Sequence, residues 1–265
     1  MRIGIIGAGV IGRHLALKLS KKGHQILIAN SRGPHTIDFA DNDRIKAVEL
    51  LQTTKGVDTV ILTIPTGQVP KLPKELFSQL NSDVHVIDTM NYVIIRDGVI
   101  EELERGKAQS VWLQEQIGRP VIRAFNNIVA VTLVREGLPK GTPGRIALAV
   151  SGDNKEWVNK VIQLVDDTGF DGFDAGSLAE SWRQESGNPA YCTDLTLEEA
   201  KEALSKANRD NSLINKEITL QNLFALGEEH MKILISGNYP EDFENKIPNM
   251  YRSFFGIPQK EYIKS

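Results

Sequence analysis

The chain has a single cysteine, Cys192, which excludes an intrachain disulfide and a cysteine-based metal cluster. Long apolar runs are missing as well. No window approaches the ~20 residues that a membrane-spanning helix needs, and we expect no membrane association. Nor is there an excess of one charge: 31 Lys and Arg against 34 Asp and Glu leave a formal net charge of −3. That balance recommends neither nucleic acid nor an acidic membrane as partner. The opening MRIGIIGAGVIG is apolar, but glycines interrupt it, Arg13 and His14 follow, and a small-residue cleavage site is lacking. We therefore expect a cytoplasmic protein. Signatures of hydrolytic and metal chemistry are absent too: there is no HExxH, no nucleophile elbow and no P-loop. The histidines His14, His24, His35, His85 and His230 are scattered along the chain.

The 265 residues, 41% hydrophobic and 25% charged, suffice for a sizeable core. Short β-branched runs alternate with segments of helical period, the signature of a parallel sheet with crossover helices. The expected strands are RIGIIG (2–7), QILIAN (25–30), IKAV (45–48), TVILTI (59–64), VHVID (84–88), VIRAF (121–125), RIALAV (145–150) and GFDA (172–175). Helices are expected at 11–22, 49–55, 67–80, 98–117, 127–136 and 154–168, with Gly23, Gly118 and Gly169 as left-handed caps. Beyond Gly176 the pattern turns helical, with a capping box from Thr196 to Glu199 at 196–207 and a second helix at 215–236, interrupted near Gly227. The fold class that follows is a Rossmann-type, doubly wound, mostly parallel α/β sheet of about eight strands, with a smaller α-helical C-terminal region. Domain boundaries are expected at 1–176 and 177–265. The aromatic-rich tail (Tyr239, Phe243, Tyr251, Phe254, Phe255, Tyr262) is expected to pack against the body or a subunit partner.

GAGVIG, residues Gly7, Ala8, Gly9, Val10, Ile11 and Gly12, has GxGxxG spacing between the first strand and the first helix. Gly7 permits the tight turn, Gly9 lets backbone approach a pyrophosphate, and Gly12 lets the helix sit close to the sheet. The end of the second strand then selects the dinucleotide. A carboxylate there would bind ribose hydroxyls and repel a 2′-phosphate, whereas this chain has Asn30, Ser31 and Arg32. NADP(H) is therefore the expected cofactor. Thr63, Ile64 and Pro65 end the fourth strand, Asn91 follows the fifth and Asn126 the sixth. These polar strand ends on one rim are expected to line the nicotinamide side. Asp88, Asn91, Asn126 and Asn127 have an alternative role as helix or turn caps.

Read in order, GAGVIG, NSRGP, LTIP, DTMN, RAFNN and DAGSL resemble the NADP-dependent oxidoreductases of the coenzyme F420 (deazaflavin) reductase family. The N-terminal domain is also similar to the cytosolic domain of the six-transmembrane metalloreductases. The resemblance covers about residues 1–180, and the chain continues for about eighty residues beyond it. It implies Ser31 and Arg32 on the 2′-phosphate, a second redox-active ring near Ile64, Pro65 and the 125–127 loop, and a homodimer. Phe125, Asn126 and Asn127 stand where a His-containing loop would be sought in the deazaflavin reductases.

Three functions remain open. One is an NADPH-dependent oxidoreductase acting on a flavin-like, deazaflavin or small carbonyl or imine acceptor, chemistry that is chiefly a matter of positioning. Another is a β-hydroxyacid dehydrogenase or imine reductase, for which Lys201 and Asn208 are the candidate residues. The third is a non-catalytic NADP(H)-binding sensor that recruits a partner. Trp182, Arg183, Gln184, Tyr191 and Cys192 either line an acceptor pocket or form a packed linker; no cation adjoins Cys192 in sequence to activate its thiol.

Overall fold

The computed structural model describes residues 1–40 and 43–262. Six parallel strands form the main sheet: β1 (Arg2–Ile6), β2 (Gln25–Ala29), β3 (Ile45–Ala47), β4 (Thr59–Leu62), β5 (His85–Asp88) and β6 (Val121–Arg123). Their order is β3-β2-β1-β4-β5-β6, which reverses direction at β1 and β4 and makes the fold Rossmann-like. Alternating side chains fill two layers, because successive residues of a strand face opposite sides. Ile3, Ile5, Ile26, Ile28, Ile61 and Ile87 pack on one face, and Ile6, Leu27, Val60, Leu62 and Val86 on the other. Both layers are covered, which explains why the strands read as almost continuous apolar runs.

Helix α1 (Val10–Lys21) crosses from β1 to β2 and buries Leu15, Ala16 and Leu19. Shorter helices follow on the way to β6: α2 (Glu75–Ser78), α3 (Ile94–Asp97), α4 (Glu101–Glu104) and α5 (Gln109–Ile117). The long helices expected at 67–80 and 98–117 are broken. In the first, Pro70 lies inside a 3₁₀ turn and Leu72 is extended before Pro73. In the second, Gly106 takes φ +86° between α4 and α5. The segment at 49–55 holds only a single 3₁₀ turn, Leu50–Gln52.

After α6 (Ala130–Arg135), two further strands, β7 (Ala147–Val150) and β8 (Asp171–Asp174), pair in parallel around α7 (Lys155–Asp167). They form a separate two-stranded sheet that meets the larger one at an antiparallel bridge, Arg123 to Ser151. All eight expected strands exist, but the eight are divided six and two.

The C-terminal helices are α8 (Leu197–Ser205), α9 (Arg209–Phe224), α10 (Glu228–Ser236) and α11 (Ile247–Phe254). The expected capping box joins Thr196 and Glu199, and α8 lays Ala200, Ala203 and Leu204 on the β7–β8 sheet. Gly227, at φ +97°, separates α9 from α10. Helix α9 inverts the usual polarity: it buries Ser212 and Thr219 and exposes Leu213, Ile214, Ile218 and Phe224. The tail packs on the body. Tyr251 and Ile247 join Val129, Val131 and Cys192 in one apolar cluster, and Tyr262 donates a hydrogen bond to Asp194 Oδ2 at 2.7 Å. No helix among the described residues is long and apolar enough to cross a membrane.

Asp194 is buried, and burial holds its carboxyl above the usual aspartate range despite bonds from Tyr262 and Thr132. A carboxyl raised in the folded state favours folding while protonated, and that advantage is lost as pH rises from the unfolded value near ~4 through the folded one. Asp194→Asn does not titrate, so its stability relative to the parent should climb with pH over that window and then level off. Urea unfolding at stepped pH reads this directly, and a difference that stays flat with pH would remove Asp194 as the cause.

Candidate functional site

The turn between β1 and α1 is built by close backbone approach. Gly7 sits at φ +113°, and its N–H donates to Ala29 O at 2.9 Å, tying the ends of β1 and β2. A Cβ on Gly12 would stand 1.9 Å from Gly7 O, so only glycine lets the helix settle this near the strand. Thr63, at the end of β4, donates its hydroxyl to Gly7 O at 2.7 Å and braces the turn from below. Gly9 differs from both: a Cβ there would meet nothing within 4 Å. The turn is closed on the protein side and open on the other.

Helix α1 starts at Val10 with no side-chain cap and no acidic residue in its first turn. Its first N–H groups therefore have no intrahelical partner, and with the helix dipole they favour an anion at that end. Ala8 and Ile11 pack against the core cluster beneath the turn.

At the end of β2, Asn30 shapes the loop. Its amide donates to Thr36 Oγ1 at 2.8 Å, and its carbonyl oxygen accepts the Arg32 N–H at 2.9 Å. Asn30 is thus a brace, while Ser31, Arg32 and His35 are left exposed side by side. No carboxylate among the described residues pairs with Arg32. Arg13 of α1, by contrast, reaches Asp38 at 3.1 Å and stacks on Phe39.

The rim at the other strand ends is wired together. Asp88 and Arg123, both fully buried, form an ion pair at 2.5 Å between β5 and β6. Asp88 also accepts from Ser110 Oγ (2.7 Å) and Met90 N (2.9 Å), which fixes the 88–91 turn. Arg123 reaches Asn91 Oδ1 at 3.3 Å, and the Asn91 amide donates to Asn126 O at 2.8 Å. Asn126 was expected to face the cofactor. It is fully buried instead, exchanging two side-chain bonds of 2.7 and 2.8 Å with Gln184 O and Gln184 Nε2. Its partner lies in the 3₁₀ segment Leu178–Gln184, which nothing near position 126 in sequence announces. Phe125 beside it adopts φ +60°, a strained conformation for an aromatic residue. Thr63 and Ile64 are half-buried and Pro65 exposed at the end of β4, and these with Asn91 keep accessible surface on the rim.

The C-terminal region reaches this site, a contribution the sequence did not signal. Gly237, at the end of α10, packs against Val10, where an added Cβ would lie 2.5 Å from Val10 Cγ2. Arg135 of α6 gathers the carbonyls of Tyr239, Pro240 and Phe243 and holds that tail in place.

Other sequence candidates have structural roles. Burial pushes the Cys192 thiol up, which removes it as a nucleophile. Lys201 pairs with Glu198 on the surface of α8, and Asn208 caps α9 by accepting from Asn211 N. His24 bonds Asp167 and His85 stacks on Trp157. No metal-binding cluster of His, Cys, Asp or Glu exists among the described residues.

Arg123→Met would leave Asp88 buried without its cation, and the expected loss is ~3–5 kcal/mol of folding stability. Chemical denaturation measures it; a loss below ~1 kcal/mol would mean that the pair is not the anchor of the rim.

Among known proteins, this chain is 53% identical over 57 residues to the protein YjhV of Escherichia coli K12, which covers 22% of this chain and 42% of that relative. It thus spans less than half the length of that curated relative. The hypothetical protein SMa0349 of Sinorhizobium meliloti superposes with a TM-score of 0.62 at 29% identity, over 74% of this chain and 94% of that one. A candidate F420-dependent NADP-reductase from Arthrobacter sp. FB24 superposes with a TM-score of 0.55 at 18% identity, over 86% and 95%. That second likeness is one of fold. The likeness to the metalloreductases is not among these matches. The resemblance carried by GAGVIG, NSRGP and LTIP is borne out at the nucleotide end of the chain, where residues 2–92 match the family of NADP oxidoreductases described as coenzyme F420-dependent.

Proposed function

We propose that the chain is an NADP-dependent oxidoreductase that moves a hydride between NADP(H) and a small-molecule or flavin-like acceptor. The observation that carries this reading is the turn that is sterically closed at Gly7 and Gly12 yet open at Gly9, above an uncapped helix start. A pyrophosphate fits that opening, and the family match over residues 2–92 supports the same reading. Asn30 holds the neighbouring loop, Ser31 and Arg32 face solvent, and no carboxylate among the described residues pairs with Arg32. Arg32 supplies a planar donor fork for a 2′-phosphate.

NADPH, when bound, supplies the hydride. The chain's own residues bind, orient and exclude water. Ile64, Pro65 and Asn91 flank the nicotinamide end, and the Asp88–Arg123 network keeps that rim rigid. Such a reaction needs positioning more than an acid–base pair. The division of labour we propose places the nucleotide on residues 1–176 and gives 177–265 the tasks of packing, flanking the acceptor and dimer contact. The exposed Ile214, Ile218 and Phe224 of α9 favour a second copy of the chain as partner.

Calorimetry with NADPH and NADH tests the nucleotide. Arg32→Ala should weaken NADPH binding by ~1.5–3 kcal/mol and leave NADH nearly unchanged; equal losses would make Arg32 a structural residue. Gly9→Val should abolish binding of both nucleotides without unfolding the chain, since its side chain would enter open space. Loss of nicotinamide absorbance with an acceptor panel of flavins, deazaflavins, carbonyls and imines tests turnover. Tight NADPH binding with no turnover on any of them would favour the sensor reading over the enzyme.

A further inference from the structure

A cleft lies between α9 and the segment around residues 182–188, with Asn91 of the strand rim at its edge. It holds an enclosed volume of only about 50 Å³ and opens into solvent at its mouth. Its walls are preformed: Gly187, at φ +91°, lies so close to α9 that an added Cβ would stand 2.0 Å from Ser212 O.

Two side chains lining the cleft carry unmet hydrogen-bonding capacity. Gln109 is 2% exposed; its oxygen accepts the Tyr92 N–H at 2.7 Å, while its Nε2 has no partner. Asn188 is 1% exposed; its Nδ2 donates to Trp182 O and Glu185 O, while its Oδ1 has no partner. A buried donor and a buried acceptor left unpaired in one cleft are costly unless something fills it.

The charges are unbalanced as well. Lys216 sits over the Tyr92 ring at 4.4 Å, and its nearest carboxylate, Glu104, is 3.8 Å away. Arg209 stacks on Trp182 at 5.1 Å and donates to Gly106 O, with no carboxylate partner among the described residues. The carboxylate in the lining, Glu185, already accepts the Gln109 N–H at 2.8 Å. Burial pulls the Lys216 ammonium below its usual range and pushes Glu185 up, as expected for groups withdrawn from water. Trp182 and Leu213 supply apolar wall.

We infer that this cleft binds a small organic carboxylate that also carries a hydroxyl or amine hydrogen. The carboxylate answers the cationic excess and the Gln109 donor, the O–H or N–H answers Asn188 Oδ1, and the carbon frame lies against Trp182 and Leu213. The inference does not depend on the dinucleotide reading, and its test needs no nucleotide.

Titration of the full chain with a panel of 2-hydroxycarboxylates and amino acids, read by heat and by tryptophan fluorescence, should find a member that binds saturably. Its uncharged ester and inorganic phosphate should not bind. Trp182→Phe should remove the fluorescence change and keep the heat. Lys216→Met should weaken binding roughly 10- to 100-fold. Leu213→Glu, at an exposed position that does not threaten folding, should abolish it by repulsion. No binding by any member, equal binding of phosphate, or affinity unchanged in both Lys216→Met and Leu213→Glu would overturn the inference.

Discussion

The fully buried ion pair between Asp88 and Arg123 organises more of this molecule than any other single contact. Each partner alone would be too costly to bury, so the two must stay together, and the residues that satisfy their remaining valences must stay with them. Those residues come from everywhere that matters. Ser110 brings α5, Met90 brings the turn after β5, and Asn91 brings the strand rim. From Asn91 the bonds run to Asn126 and on to Gln184, which also contacts Ala149 and Ser151 of the smaller sheet. One desolvated charge pair thereby registers two sheets, a helix and the C-terminal segment against each other. Apolar packing supplies most of the stability but has little directional preference, so a polar chain of this kind is what fixes relative placement.

Strands were legible because a sheet covered on both faces forces apolar residues onto consecutive positions, and all eight expected runs are strands. Helices were legible where one face is apolar and the caps are explicit, as in α7 and α8. They were misjudged where the chain changes direction under local constraint. The run at 98–117 holds a glycine at φ +86°, and the period on either side continues as though the helix were unbroken. Helix α9 shows the converse limit. Its start is set by the Asn208 cap rather than by periodicity, and it buries Ser212 and Thr219 while leaving Ile214, Ile218 and Phe224 exposed.

The candidate site divides along a similar line. Glycine spacing is a steric code, and the contacts of Gly7 and Gly12 with Thr63 and each other follow it. Polar residues at strand ends are ambiguous, because an amide or hydroxyl can serve a ligand or the chain itself. Asn30, Thr63 and Asn126 serve the chain, each bonded to a partner within the fold. For Asn30 the partner is six residues away and could have been suspected; for Asn126 it is 58 residues away and could not. Ser31 and Arg32, beside Asn30, stay exposed.

The C-terminal region meets the turn after β1 by close packing. Gly237 touches Val10, the first residue of α1, and Arg135 of α6 holds the carbonyls of Tyr239, Pro240 and Phe243. Any side chain at position 237 would push on Val10, so the tail and the turn cannot move independently. That close approach is what the last helices bring to the turn.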